Sequence, residues 1–212
     1  TGPIYNFGTE AQRRRWVPAL AQGEHLGAFA LTEPGAGSDA KMTRVTAIRD
    51  GDEFVVNGTK IYCTNGTHAE TIVFTARTGG EVGDTSQIAA FVVEKGTPGL
   101  DYGTLEDKLG LCGSDTREIV FKDCRIPLGN KLGEEGKGFQ QFMKTLEAGR
   151  ISIGAMALGL AQGALDCALP YAQERQQFGK RLIDMQPVAH KLADMAMEIR
   201  AARNLVYVAA WR

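Results

Sequence analysis

The chain has 212 residues, 43% of them hydrophobic and 23% charged, with a net charge of −1. That is the balance of a globular protein large enough to bury a substantial core. It lacks the basic excess of a nucleic-acid binder or a polybasic membrane anchor, and no unbroken apolar run approaches the roughly 20 residues that span a bilayer.

Cys63, Cys112, Cys124 and Cys167 form no C-x-x-C pair, and with only His25, His68 and His190 no zinc-like spacing arises, so no metal site is expected. Free thiols of a reducing compartment are the expectation.

Residues 1–7 show no start signal and read as the tail of something larger; the first residue is not Met, so further chain is expected before it. Residues 9–22 read as a helix. Thr9-x-x-Gln12 is a capping-box pattern, Pro18 is expected to kink or end the regular part, and Gly23 is the stop. From Leu26 to Asp123 short apolar runs alternate with turn residues. The runs are Thr43 to Ile48, Phe54 to Val56, Ile61 to Cys63, Thr71 to Ala76, Ile88 to Val93 and Glu118 to Phe121. Asn57-Gly58 is a hairpin signal, and Gly79 to Thr85 reads as a hairpin tip. Several strands at this spacing with no helical pattern between them suggest a β-sandwich or barrel. From Gly136 the period becomes helical. Phe139, Met143 and Leu146 share a face, the run continues through Ile151 to Leu169, and Pro170 is an expected kink. A second helix starts after Asp184 with Pro187 in its first turn. On it Val188, Leu192, Met195, Ile199, Ala202, Val206 and Ala209 form an amphipathic stripe. Two such helices leave an apolar face that calls for more chain or an oligomer.

Four stretches combine polar groups with backbone able to approach a ligand. In Phe29 to Ala40 an apolar run breaks into Pro34, Gly35 and Gly37, with Thr32 and Ser38 alongside. Glycines there allow close approach and an anion-binding nest of N–H groups, although in isolation the stretch also reads as a turn. In Lys60 to Gly66, Tyr62 and Thr64 occupy alternate strand positions and so one face. An aromatic beside a hydroxyl suits a flat heterocycle, and a packed Tyr with a turn-capping Thr is the plainer reading. Glu147 and Arg150 are either a surface pair or a grip on an anionic or carbonyl-bearing ligand. In Glu174 to Lys180, Arg175 suits a phosphate and Phe178 an adenine, against a charged helix end with a Gly stop.

Taken together, in order, these stretches resemble the acyl-CoA dehydrogenase family. Leu31-Thr32-Glu33-Pro34-Gly35-Ala36-Gly37-Ser38-Asp39 is similar to its signature loop. Gly58 to Gly66, Lys108-Leu109-Gly110, Ser114-Asp115-Thr116, Glu147 to Arg150 and Glu174 to Lys180 carry the likeness on. The runs Gly154 to Ala164 and Leu192 to Met195 resemble most the short-chain (butyryl-CoA) branch. The resemblance implies an α+β multidomain protein: a β-sandwich or barrel middle domain followed by helices of a four-helix bundle, here incomplete. Residues 1–26 would end an N-terminal helical domain, 27–130 would be the middle β domain, and 131–212 would be the first two bundle helices.

The family's activity would be FAD-dependent oxidation of an acyl-CoA to the trans-2-enoyl-CoA, as in fatty acid β-oxidation. Electrons would pass to an electron-transferring flavoprotein, and the assembly would be a homotetramer. By resemblance, Phe29, Leu31 and Thr32 lie along the flavin pyrimidine, Gly37 and Ser38 meet the pyrophosphate, and Ser38 also borders the thioester channel. Tyr62, where Trp is common, packs on the isoalloxazine, and Thr64 bonds its N5 and O4. Arg175 and Gln186, with Gln177 and Phe178 beside them, reach the FAD of a neighbouring subunit, while Glu147 and Arg150 contact CoA. The catalytic base, usually a Glu, would lie beyond Arg212; Gly149 occupies the position where a few branches place it. The fragment alone is therefore expected to be inactive and to bind FAD poorly. Dehydrogenases of medium-chain, branched or glutaryl-CoA are alternatives, as is a non-catalytic flavin- or acyl-CoA-binding module. Bacterial cytoplasm or mitochondrial matrix is the implied location.

Overall fold

A computed structural model describes residues 1–134 and 136–212. Its elements are α1 (Gly2–Phe7), α2 (Glu10–Gln22), β1 (Gly27–Ala30), β2 (Thr46–Asp50), β3 (Glu53–Thr64), β4 (Thr71–Arg77), β5 (Ile88–Glu94), β6 (Leu100–Leu105), β7 (Thr116–Pro127), β8 (Lys131–Leu132), α3 (Gly138–Glu174), β9 (Gln176–Gln177), β10 (Lys180–Arg181) and α4 (Gln186–Trp211). They form two compact units, Thr1–Thr145 and Leu146–Arg212.

In the first unit eight strands share one sheet in the order β6-β7-β3-β2-β4-β5-β8, with β1 pairing parallel to β4. The sheet folds over on itself. Phe74 on β4 stacks on Phe121 of β7 at 4.6 Å, and Phe54 on β3 meets Phe91 of β5 at 5.0 Å. Each pair is three strands apart in the sheet, which in a flat sheet would be roughly 14 Å. The expected sandwich or barrel is thus present, and these rings with Ile72, Ile119 and Ile126 are its interior.

A second apolar cluster covers the outer face, where Ile4, Trp16 and Phe142 pack on Val73, Ala90, Val92 and Leu132. The strand β1 serves both clusters by simple alternation: Ala28 and Ala30 face the interior, Phe29 the outer cluster. Helix α1, with Pro near its start, was not legible as an element. The capping box on α2 is formed, and Gly23 ends the helix at φ 77°. Pro18 does not end it; the helix runs a further turn to Gln22. The Gln12 amide also donates to the carbonyls of Gly129 and Lys131 at 2.7 and 2.8 Å, which fixes α2 to the turn before β8.

Asn57-Gly58 is not a hairpin turn. It is a bulge inside the continuous strand β3, where the register against β7 shifts between Val56 and Gly58. Asn57 is tied to Asp123 by two hydrogen bonds, and Gly58, at φ 130°, lies against Val45 where a Cβ would be 2.9 Å from Val45 Cγ2. The real hairpin is one turn earlier, at Gly51 (φ 62°), between the paired Asp50 and Glu53.

In the second unit, Pro170 leaves α3 continuous to Glu174, and Pro187 lies in the first turn of α4 as expected. Leu158 and Leu165 on α3 pack with Ile199, Leu192 and Met195 on α4. Small residues between them leave a groove of about 540 Å³ lined by Gly154, Ala161, Met195, Ala202 and Val206. By length and composition alone α3 is long and apolar enough to cross a membrane, although no unbroken apolar run of that length lies within it. Ser152, Gln162 and Asp166 interrupt its apolar residues singly.

Candidate functional site

The loop after β1 and the end of β3 are brought together, and a second bulge is the reason. Register against β7 slips again between Lys60 and Cys63. One extra residue on β3 opposes β7 there, and the Ile61 N–H beside it donates to the carbonyl of Thr32 at 2.8 Å. Tyr62 takes a left-handed backbone at φ 57°, rare and costly for a bulky residue. It is 60% exposed, and the buried Cys63 separates it from the exposed Thr64. Both side chains are exposed, and the register slip falls between Lys60 and Cys63, so the regular pleat expected over this stretch is broken there.

The loop is held from beneath. Glu33 and Ala36 exchange two backbone hydrogen bonds around Pro34-Gly35. None of residues 34–40 has positive φ, so the left-handed form of an anion-binding nest is absent and Pro34-Gly35 forms a plain turn. Gly37 and Ser38 are exposed, and a Cβ on Gly37 would meet nothing. Phe29 and Leu31 are half-buried with side chains in the outer cluster, and the Phe29 ring stacks on Phe142 at 4.3 Å. What they can offer a ligand is backbone. The Thr32, Ser38, Tyr62 and Thr64 hydroxyls have no protein partner among the described residues.

Residues quoted only as motif prove to be supports. The Asp115 carboxylate accepts from the N–H and hydroxyl of Thr67, each at 2.7 Å, and fixes the turn that follows Thr64. Burial opposes charge on Asp115, yet those two hydrogen bonds, with His68 and Arg117 nearby, hold its pKa below the ordinary value. Lys108 donates to the Ser114 carbonyl and to the Thr116 hydroxyl, closing the loop between β6 and β7. Cys63 is fully buried, and burial pushes its thiol up to about 12, so it is no nucleophile.

The second unit carries the remaining candidates in two places. Glu147 and Arg150 are exposed on α3, and no ion pair joins them among the described residues, so the surface-pair reading does not hold. One turn of chain beyond α3, Gln177 and Lys180 pair across a tight hairpin whose two tip residues, Phe178 (φ 53°) and Gly179 (φ 73°), are both left-handed. Phe178 is 93% exposed. The hairpin is closed by the Leu182 N–H donating to the Arg175 carbonyl at 2.9 Å and is backed by a two-point Arg181–Asp184 pair that sequence reasoning did not single out. The Arg175 guanidinium has no partner among the described residues, and Gln186 is exposed at the start of α4. Arg150 and Glu174 lie on one helix roughly 36 Å apart at 1.5 Å per residue.

Comparison with known proteins places this arrangement. The family description "acyl-CoA dehydrogenase, middle domain" matches residues 28–124, and "acyl-CoA dehydrogenase, C-terminal domain" matches residues 136–212. The chain belongs to the acyl-CoA dehydrogenase family. Among acyl-CoA dehydrogenases it is 50% identical over 209 residues to the probable acyl-CoA dehydrogenase YngJ of Bacillus subtilis, covering 99% of this chain and 55% of that protein. The solved butyryl-CoA dehydrogenase of Megasphaera elsdenii is 49% identical and superposes with a TM-score of 0.94 over 97% of this chain and 54% of its own. A structure described as an electron transferring flavoprotein of Acidaminococcus fermentans, studied for flavin-based electron bifurcation, contains a chain 48% identical with a TM-score of 0.96 over 99% of this chain and 55% of that one. The chain spans about half the length of the curated acyl-CoA dehydrogenases it matches.

Proposed function

We propose that the protein containing this chain oxidises a short-chain acyl-CoA to the trans-2-enoyl-CoA with FAD and passes the electrons to an electron-transferring flavoprotein. The observation that carries the reading is the Ile61–Thr32 hydrogen bond, which ties the loop holding Thr32 and Ser38 to the strand end holding Tyr62 and Thr64, four residues whose hydroxyls have no partner among the described residues. Those groups fit the rim and face of a flavin, the family's cofactor. Bound FAD supplies the two-electron acceptor for such an oxidation.

The chain's own residues then bind and orient. The Thr32 and Thr64 hydroxyls donate to or accept from the ring's polar rim, and Tyr62 covers its face. The Ser38 hydroxyl and the open backbone at Gly37 receive the phosphates. Arg150, with no partner among the described residues, holds the anionic CoA portion, and Glu147 beside it orients that portion. Arg175, Gln177, Phe178 and Gln186 serve the cofactor of another copy in a homotetramer. The base that removes the α proton is assigned to none of these 212 residues.

Flavin absorbance of the purified full-length protein, with turnover of butyryl-CoA against an artificial acceptor, tests the reading. Absence of flavin binding would sink it. Flavin without turnover would instead support a non-catalytic binding module, and preference for another thioester would move the substrate to a longer, branched or dicarboxylic acyl group.

A further inference from the structure

Lys60 is wholly buried, and so, at 4% exposure, is its partner Glu33. The ammonium makes three hydrogen bonds to three parts of the chain: 2.7 Å to Glu33 Oε1, 2.9 Å to the Leu31 carbonyl, and 3.1 Å to Thr75 Oγ1 on β4. All three of its donors are used. The other Glu33 oxygen accepts from the Arg44 N–H at 2.7 Å and the Val45 N–H at 3.2 Å. The segment that carries Thr32, Gly37 and Ser38 is thereby fastened at its start, at Leu31, and at its end, at Arg44 and Val45. The next residue after Lys60 is Ile61, whose N–H binds the Thr32 carbonyl.

Such a pair is an expensive way to hold a loop. Desolvating two charges offsets most of their attraction, and an apolar pair of like volume is often as stable. Stability alone therefore does not account for it, whereas fixing one geometry does. We propose that Lys60 and Glu33 are positioning residues: a buried ionic latch that sets the Thr32–Ser38 loop against Tyr62–Thr64, so that the four hydroxyls form one ligand-binding edge. Neither residue touches the ligand. The proposal rests on the flavin reading above only for the identity of that ligand.

The latch has its own pH signature. Burial, only partly offset by Glu33, lowers the Lys60 pKa to about 8. Among the described residues Glu33 is the only titratable side chain in hydrogen-bonding reach of the ammonium; Leu31 contributes a carbonyl and Thr75 a hydroxyl, and Arg44 reaches Glu33 through its backbone N–H. When the loop opens, Lys60 meets water and regains its ordinary affinity for protons. The closed state thus binds fewer protons than the open one between about pH 8 and the usual lysine range near 10, and closing is favoured as pH rises through that window.

The test is amide hydrogen exchange of the full-length protein, each rate divided by its intrinsic rate at that pH, with FAD titration alongside. In the wild type the protection of Arg44 and Val45 is expected to rise at least tenfold between pH 8 and 10, while amides of the β4–β5 pair stay level. Lys60→Met should show no such rise and a tenfold or larger increase in FAD Kd. Thr75→Val, which keeps both charges, covers the case in which Lys60→Met fails to fold, and it should shift the onset of the rise to lower pH. The double variant Glu33→Gln with Lys60→Met keeps the acceptor for Arg44 and Val45 and should fold at least as stably as the single variant while still binding FAD weakly. Wild-type protection that is flat or falls with pH overturns the latch, as does a double variant with native FAD affinity. The exchange arm contains no flavin, so a wild type that binds no FAD defeats the flavin reading and leaves the latch to be decided by protection alone.

Discussion

The N–H of Ile61, within the second bulge of β3, donates to the carbonyl of Thr32 at 2.8 Å, across 29 positions of sequence. Neither the Thr32 nor the Thr64 hydroxyl has a protein partner among the described residues, and on the proposed reading both serve the flavin. Thr32→Val and Thr64→Val should therefore leave the thermal midpoint unchanged. Each should weaken FAD binding by roughly three- to tenfold, the value of one net hydrogen bond. Flavin fluorescence titration beside a melting curve separates the two effects. A fall in melting temperature that matches the loss of affinity would make these threonines structural.

Two exposed aromatics among the candidate residues, Tyr62 in the first unit and Phe178 in the second, have left-handed backbone. That conformation costs an ordinary residue about 1–2 kcal/mol, partly balanced in a glycine replacement by about 0.5–1 kcal/mol of added chain entropy. Phe178→Gly, at a tip with almost no packing to lose, should leave urea stability equal or raise it by up to about 1 kcal/mol. Flavin affinity should drop in the same protein. A loss of stability larger than about 1 kcal/mol would show that the ring packs within the chain.

Gly138 and Gly149 lie on one helix and should respond to alanine with opposite signs. A Cβ at Gly138 would be 2.4 Å from the backbone carbon of Ala89, whereas at Gly149 it would meet nothing within 4 Å. Gly138→Ala should cost about 1–3 kcal/mol by overpacking, and Gly149→Ala should gain up to about 1 kcal/mol through helix propensity. Urea denaturation of both variants checks the pair.

Thiol chemistry should divide the cysteines evenly. Cys112 and Cys167 are exposed, while Cys63 and Cys124 are buried and their thiols are pushed up to about 12 and about 11. At pH 8 iodoacetamide should label only Cys112 and Cys167 in the native protein, and all four cysteines after denaturation, as read by peptide mass. Fast native labelling of Cys63 would mean that the strand end beside Tyr62 opens readily.

Much of this was legible because it is local. Thr9 and Gln12 announce the cap of α2 with no outside help, and the Val188 to Ala209 stripe needs only helical geometry to be recognised. Asn57-Gly58 misleads for the opposite reason. Its turn preference is overruled by Asp123, 66 positions away, which captures the Asn57 amide and makes a bulge of it. Lys60 and Glu33 stand in quoted motifs, yet a lysine in an alternating strand reads as solvent-facing. Only the curl of the sheet reveals that its end is enclosed. The hydroxyl edge was visible as residue types but not as a surface, since its alignment depends on a register slip that no pattern of side chains records.

The unbroken run of α3 from Gly138 to Glu174 has a genetic consequence. If Arg150 serves one binding site and Arg175 another, each chain contributes to two sites and completes neither. A cell expressing an Arg150 variant and an Arg175 variant together would then assemble some mixed oligomers with one site carrying both lesions and another carrying none. Two alleles silent on their own would restore activity in combination, whereas two lesions confined to a single site per chain would not.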